Sequence, residues 1–320
     1  MIDKFINPIA AFDIDGARIA QTVGDSPDLD VKSGYRWLHL DLNDPDLKGW
    51  VKDHLPEIAA RALMQTETRP RCERLADGLI LNLRGVNLNP GSDPEDMVSL
   101  RMWVTSTAIV SGRKRKVWAV DAIRQAAEAG IAPATVGRFL AEITYGLTAR
   151  IETVSIALED ETDALEEAVL EGRKLPNGQL GNLRQAVIKM RRFVNPQREA
   201  IAALAAMDNW IIAPNELALL RETSNRTRRI VEELDATRDR LAALQEHIDA
   251  DRAHALGRNS YVLSVVAAIF LPLGFLTGLF GVNVGGMPGG EAPLAFWILT
   301  GASLAGGVAL FLIFKYSKWL

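Results

Sequence analysis

A chain of 320 residues has room for two compact domains, or for one domain with an extended part. Its 24% charged and 48% hydrophobic residues match an ordinary globular protein, and its net charge of −4 excludes a role resting on attraction to nucleic-acid phosphate. The single cysteine, Cys72, excludes an intrachain disulfide and fits a reducing compartment.

The first part of the chain mixes short strand patterns with short helical ones. Tyr35–Leu42, Gly78–Leu88 and Met97–Val104 alternate as strands do, and Thr107–Gly112 follows as another. Between the first two, the segment after Asp44 reads as a helix with Asp44 as N-cap and Pro45 at its first position. Trp118–Ala129 predicts a further helix ended by Gly130, and Asn89-Pro90-Gly91 marks a turn. Residues 1–132 therefore read as a small α/β domain.

After Pro133 the period becomes helical and stays so. Ala134–Leu170 carries one helix, and Leu175-Pro176-Asn177-Gly178 breaks it. A second is expected from Leu180 to Ile212, broken by Ala213-Pro214-Asn215, and a third from Glu216 onward. Ile230, Leu234, Thr237, Leu241, Leu244 and Ile248 recur at spacings of four and three, a coiled-coil-like seam. Residues 133–259 read as a stalk of long helices, able to couple a soluble domain to a membrane helix or to serve as a spacer or oligomerisation element.

Charges then vanish. From Ser260 to Phe314 the only ionisable side chains are Tyr261 and Glu291. Residues 260–280 and 294–314 are two apolar blocks of about 21 residues, each covering roughly 30 Å as a helix, the thickness of a bilayer's hydrocarbon. Their place late in the chain is not that of a signal peptide. Arg252 and Arg258 precede the first block, Lys315 and Lys318 follow the second, and the loop 281–293 holds neither Lys nor Arg. The positive-inside rule then sets both flanks, including the tail 315–320, in the cytosol and the loop outside. Tyr261, Trp297 and Trp319 stand where interfacial aromatics are expected. Without the tail from Ser260, whose two lysines and Glu291 sum to +1, the remainder carries −5 and attracts cations.

The first block ends in Gly281-Val282-Asn283, followed by Met287-Pro288. In this place, after an acidic α/β domain and long helices, the tripeptide resembles the Gly-Met-Asn of the CorA metal-ion transporter family. Phe275–Gly289, Arg69–Leu75, Leu81–Pro90 and the terminal Ser317–Leu320 look like its ZntB zinc-transporting branch. Two departures from the magnesium transporters stand out: Val282 in place of Met, and no Glu-Leu after Met287-Pro288. The resemblance covers essentially the whole chain. It implies an α+β membrane protein of the bacterial inner membrane with both termini cytoplasmic. It also implies a homopentamer in membrane lipid, in which five first membrane helices line a pore. The implied cargo is zinc or another divalent cation, moved inward, with proton coupling open and no cofactor or nucleic-acid partner.

Elementary chemistry is compatible with that arrangement. Two helices per chain cannot enclose an aqueous path, so conduction needs several chains around an axis. Five copies of Asn283 would offer neutral carbonyl oxygens to the first-shell water of a hydrated divalent ion. Gly281 lets backbone carbonyls approach closely. Ser260, Leu263, Ala267, Leu271, Gly274 and Gly278 recur at helical spacing below Asn283 and form the candidate pore face; helix packing uses the same small residues.

Zinc-ligand signals are sparse. No CxxC or HExxH occurs, Cys72 has no neighbouring His, and His39 and His54 carry no signal. His247, Asp251 and His254 share a helical face, but the first-to-last rise of about 10.5 Å limits one chain to a pair. Neither apolar block holds Asp, Glu, His, Lys or Arg, so end groups such as His254 and Glu291 are the proton-coupling candidates. Glu159, Asp160, Glu161, Asp163, Glu166, Glu167 and Glu171 read as a solvated face or a cation-attracting surface. No nucleophile–base set, phosphate loop or hydrolase motif points to an enzyme. A magnesium, cobalt or nickel channel and a non-conducting metal sensor or scaffold remain the alternatives.

Overall fold

The computed structural model describes residues 6–23, 29, 31, 33–75, 78–207, 211–281 and 292–316. They fall into two compact units, Met1–Leu244 and Gln245–Leu320.

The first unit is built on a seven-stranded sheet of β1 (Ala10–Ile14), β2 (Ala20–Thr22), β3 (Tyr35–Asp41), β4 (Arg71–Leu75), β5 (Gly78–Gly85), β6 (Val98–Val104) and β7 (Ala108–Arg113). The order is β2-β1-β3-β7-β6-β5-β4, and β3–β7 is the parallel pair among antiparallel neighbours. Alternation sends Trp37, Leu81, Leu100 and Ile109 to one face and Leu38, Leu40, Ile80 and Val110 to the other. Helices α1 (Leu47–His54) and α2 (Glu57–Met64) cover the second face. Onto the first face pack α3 (Trp118–Glu128), the start of α4 (Val136–Leu170), the end of α5 (Gln179–Ala205) and the start of α6 (Pro214–Gly281). Phe139, Leu140 and Ile143 of α4 are wholly buried there, so the long helices share the core of the sheet.

Three local expectations are corrected. Asp44 and Pro45 form a turn: the Asp44 carboxylate accepts the Asp46 N–H at 2.9 Å, and α1 begins only at Leu47. The second long helix stops at Ala205 and does not reach Ile212. Its apolar pattern continues because Ile212 is buried in the sheet core as part of a connection. The seam of α6 is filled within the chain, by α4. Ile230, Leu234, Thr237 and Leu241 are buried, as are Thr148, Ile151, Ser155, Leu158 and Thr162 of α4.

Contacts fix the direction of that pairing. Thr135 meets Glu216, Thr148 meets Thr227 at 3.2 Å, Glu152 meets Arg226, and Glu166 meets Arg240 at 3.0 Å. From Thr135–Glu216 through the middle pairs to Glu166–Arg240 both numbers increase, so α4 and α6 run parallel. Asp235 of α6 also pairs with Arg191 of α5. Glu216 joins the two helix starts: it accepts the Thr135 hydroxyl and the Ala213 N–H (2.8 Å), while Thr135 caps α4 through the Arg138 N–H (3.0 Å).

One turn requires glycine twice over. Gly34 has φ +75°, and a Cβ there would overlap the Ile14 carbonyl. Gly34→Ala is expected to destabilise the unit by about 2–4 kcal/mol, from the left-handed backbone plus the clash. Gly91→Ala, at φ +73° with open space around it, is expected to cost only about 1 kcal/mol. Urea unfolding of both variants checks this; equal losses would discard the clash.

In the second unit α6 continues to Gly281, and α7 (Ala295–Tyr316) follows. Among the described residues these two helices are long and apolar enough to cross a membrane, and most of their apolar side chains are exposed, unlike those of a soluble core helix.

Candidate functional site

The apolar stretch of α6 has two unlike faces. Leu273 lies against α7, where a Cβ on Gly307 would stand 3.5 Å from its Cδ1 and one on Gly306 4.0 Å from its Cδ2. Glycine at both positions lets the helices approach closely. Val265 and Ile269 share the Leu273 face and are the less exposed side chains around them. Ser260, Leu263, Ala267, Leu271, Gly274 and Gly278 are all exposed. At about 100° per residue they centre roughly 160° around the helix from the face of Val265, Ile269 and Leu273. The six candidates thus form one continuous strip turned away from α7, and Leu263 and Leu271 are its bulkiest members.

Polar groups inside these helices are satisfied locally. Ser264 donates to the Ser260 carbonyl (2.9 Å), Thr277 to Leu273 (3.0 Å) and Thr300 to Phe296 (2.8 Å). Pro272 removes one N–H from the ladder of α6. The described helix ends at Gly281, where nothing lies within 4 Å of a Cβ. Val282 and Asn283 of the tripeptide, and the coupling candidate Glu291, lie outside the described residues.

The metal-ligand candidates come together only as a pair. His247 Nε2 stands 3.5 Å from Asp251 Oδ2, with both side chains more than half exposed, and His254 does not join them. Among the described residues no three His, Cys, Asp or Glu side chains gather to hold a metal. Burial, then the charge of Glu73, pushes the Cys72 thiol up to about 12, so it stays protonated and is a poor ligand at neutral pH.

The acidic run is not uniformly solvated. Asp163 and Glu166 both bind Arg240 of α6, whose guanidinium is held above its ordinary range chiefly by Glu166 and then Asp163. Glu171 pairs with Arg173. Sequence reasoning missed this tie between α4 and α6. The visible signal was an arginine beside the α6 seam and two acids beside that of α4.

Comparison with known proteins then gives the family. The family model described as "CorA-like Mg2+ transporter protein" matches residues 32–316. The "Divalent cation transporter CmaX" of Pseudomonas aeruginosa is 38% identical over 292 residues, 89% of this chain and 87% of that protein. The "Zinc transport protein ZntB" of Yersinia enterocolitica is 37% identical over 288 residues, 89% and 88% of the two. The solved structure of full-length CmaX superposes with a TM-score of 0.84 at 32% identity, covering all of both chains. These relatives are named as transporters, not enzymes. The chain belongs to the CorA family.

Proposed function

We propose that the chain carries divalent cations, zinc first among them, across the bacterial inner membrane as a homopentamer with both termini in the cytoplasm. The strip Ser260–Gly278 on α6 carries this reading. It is exposed on one chain, faces away from α7 and supplies small and apolar walls; other copies of the same strip would complete a path. Divalent cargo is supported by the relatives, named for divalent cations and for zinc. Val282 and the missing Glu-Leu after Pro288 favour zinc over magnesium.

Gly281, Val282 and Asn283 form the outer mouth. The ion arrives with its water, and the path holds no carboxylate, thiolate or imidazole to replace that water. Recognition therefore falls to oxygens that accept hydrogen bonds from the hydration shell, which Asn283 supplies. Leu263 and Leu271 narrow the apolar stretch, where dewetting closes a path without any charged gate. Proton coupling, where present, uses His254 and Glu291 at the ends of the span or moves with the pore water, because the spans hold no ionisable relay.

Reconstituted protein tests this. Zinc is expected to enter liposomes faster than magnesium, cobalt or nickel, and an inward pH gradient to speed it if protons are coupled. Magnesium outrunning zinc gives the magnesium-channel reading. No flux of any ion from correctly inserted protein leaves a membrane-tethered sensor or scaffold.

A further inference from the structure

Two surfaces of the first unit carry charge that makes no ion pair among the described residues. One is the β7–α3 loop. Two asparagines from separate loops pin its backbone: Asn43 Nδ2 donates to the Lys114 carbonyl (2.9 Å) and Asn89 Nδ2 to that of Lys116 (3.1 Å). Trp118 Nε1 donates to Leu88 (3.1 Å), fixing the first turn of α3 as well. Lys116 is folded inward, 3.0 Å from Asp121 and over the Trp118 ring. Lys114 and Arg115 point no such way: both are exposed and make no ion pair among the described residues. Beside them stand two partly exposed apolar side chains, Trp118 at 39% and Leu88 at 41% exposure.

The second surface lies midway along α4 and α6. Glu159 of α4 and Glu232 and Glu233 of α6 make no ion pair among the described residues. Partial burial, followed by the charges of Glu159 and Glu152, raises the Glu233 carboxyl in spite of Arg229; Glu232 adds to the same effect. Glu152 is itself committed to Arg226. The patch is thus a set of like charges that its own arginines do not neutralise. Ile156, one helical turn before Glu159, is half exposed and gives this surface an apolar anchor too.

The two surfaces cannot meet within one protomer. Ala119, next to Trp118, packs on Gly146 of α4, with 3.4 Å between its Cβ and one placed on Gly146. Glu159 stands thirteen residues further along that helix, about 20 Å away and beyond the reach of any side chain. Complementary patches at different places on one subunit are what a head-to-tail contact needs, and such contacts form a ring when the rotation between neighbours closes.

We propose that the Lys114–Arg115–Trp118 surface of one copy docks on the Ile156–Glu159–Glu233 surface of the next. Trp118 and Leu88 cover Ile156, and the two cations sit against the carboxylates. Charges at such a rim set the register of association as well as its strength. This contact rests on the oligomeric transporter reading and names the surfaces through which the soluble units of neighbouring copies touch.

Cross-linking of the full-length protein in liposomes tests it. In a Cys72→Ser background, Arg115→Cys together with Glu159→Cys is expected to give a ladder of covalent oligomers with a short bis-maleimide, and each single cysteine only monomer. With the docking charges intact, a Trp118→Cys and Ile156→Cys pair is expected to give the same ladder. Adding Lys114→Glu and Arg115→Glu to that pair should lower the yield about tenfold, as should adding Glu159→Lys and Glu233→Lys. All four reversals together should restore it. Thermal unfolding of each variant checks that the unit still folds. An oligomer of normal mass that gives no ladder, or that is indifferent to the reversals, overturns the docking surfaces and leaves the transporter reading standing. So does a loss of binding to anionic vesicles as the only effect of Lys114→Glu and Arg115→Glu, which assigns the basic loop to the membrane surface. A chain that is monomeric in the membrane removes the shared pore itself.

Discussion

Replacing Asn283 by alanine is expected to cut divalent-metal flux on the order of a hundredfold or more while assembly and thermal stability stay nearly unchanged. Each lost acceptor forfeits about 1 kcal/mol of hydrogen bonding to the ion's water, and in the proposed oligomer copies from several chains would act on one ion. Asn283 is the only carboxamide between Ser260 and Leu320, so no neighbour in the spans takes its place. Asn283→Asp is expected to hold cations more tightly and slow their release, lowering maximal flux while raising affinity. Zinc flux into liposomes, measured beside the mass of the reconstituted oligomer, separates the outcomes. Normal flux through a correctly assembled Asn283→Ala protein would move selection to another position, with the Leu263 and Leu271 constrictions next in line.

Why so much of this chain can be read from its sequence is a matter of which forces act locally. The apolar blocks are legible because a bilayer imposes a long run without charge, and the chain has two such runs. Strands such as Tyr35–Asp41 and Val98–Val104 are buried almost end to end because helices cover both faces of the sheet, and they are legible as short apolar runs whose alternate side chains divide between the two cores. The seam of α6 was equally visible, but its partner was not. Ile230, Leu234 and Leu241 advertise a helical neighbour without saying whether it belongs to the same chain, and here α4 supplies it. Ile212 misled for a related reason: burial in a connection looks the same as burial on a helix. Arg240 with Asp163 and Glu166, 77 and 74 residues away, is a tertiary pairing that no local period encodes. The site divides the same way. The candidate tripeptide rests on the sequence motif alone, since Val282 and Asn283 lie outside the described residues, whereas placing Ser260–Gly278 opposite α7 needed the contact of Leu273 with Gly306 and Gly307.

The first unit is expected to lose stability on mild acidification, and His39 to be the cause. Its ring is buried beside Trp37, and Ser111 organises the site. The Ser111 hydroxyl donates to the Leu38 carbonyl (3.2 Å), leaving its oxygen to accept from Trp37 Nε1 (2.9 Å) and His39 Nδ1 (2.8 Å). The neutral tautomer with its proton on Nδ1 is therefore the one that fits. Burial first, and then the charges of Arg113 and Arg124, push the imidazole from the ordinary 6.5 down to about 3, against the opposing effects of Ser111 and Asp121. The folded pKa lies below the unfolded one, so between them the unfolded chain binds the extra proton. Stability is then fully present above about pH 6.5 and falls as pH drops toward 3, at up to about 1.4 kcal/mol per unit. From pH 6.5 to 5 this amounts to about 2 kcal/mol. Asp121 acts in a different window. Its burial favours the neutral form, but Lys116 and Arg124 outweigh that and hold the carboxyl below 3.8, so its contribution disappears only at lower pH. His39→Leu should remove the slope between pH 6.5 and 5 and leave the loss from carboxylates such as Asp121 at lower pH. Urea unfolding of the full chain at pH 7.5, 6.5, 5.5 and 5.0, followed by tryptophan fluorescence, reads this directly. If wild type and His39→Leu lose stability in parallel, the buried imidazole is not the acid-sensitive group. The same burial keeps His39 neutral near pH 7, so any pH-gradient effect on flux is expected to persist unchanged in His39→Leu.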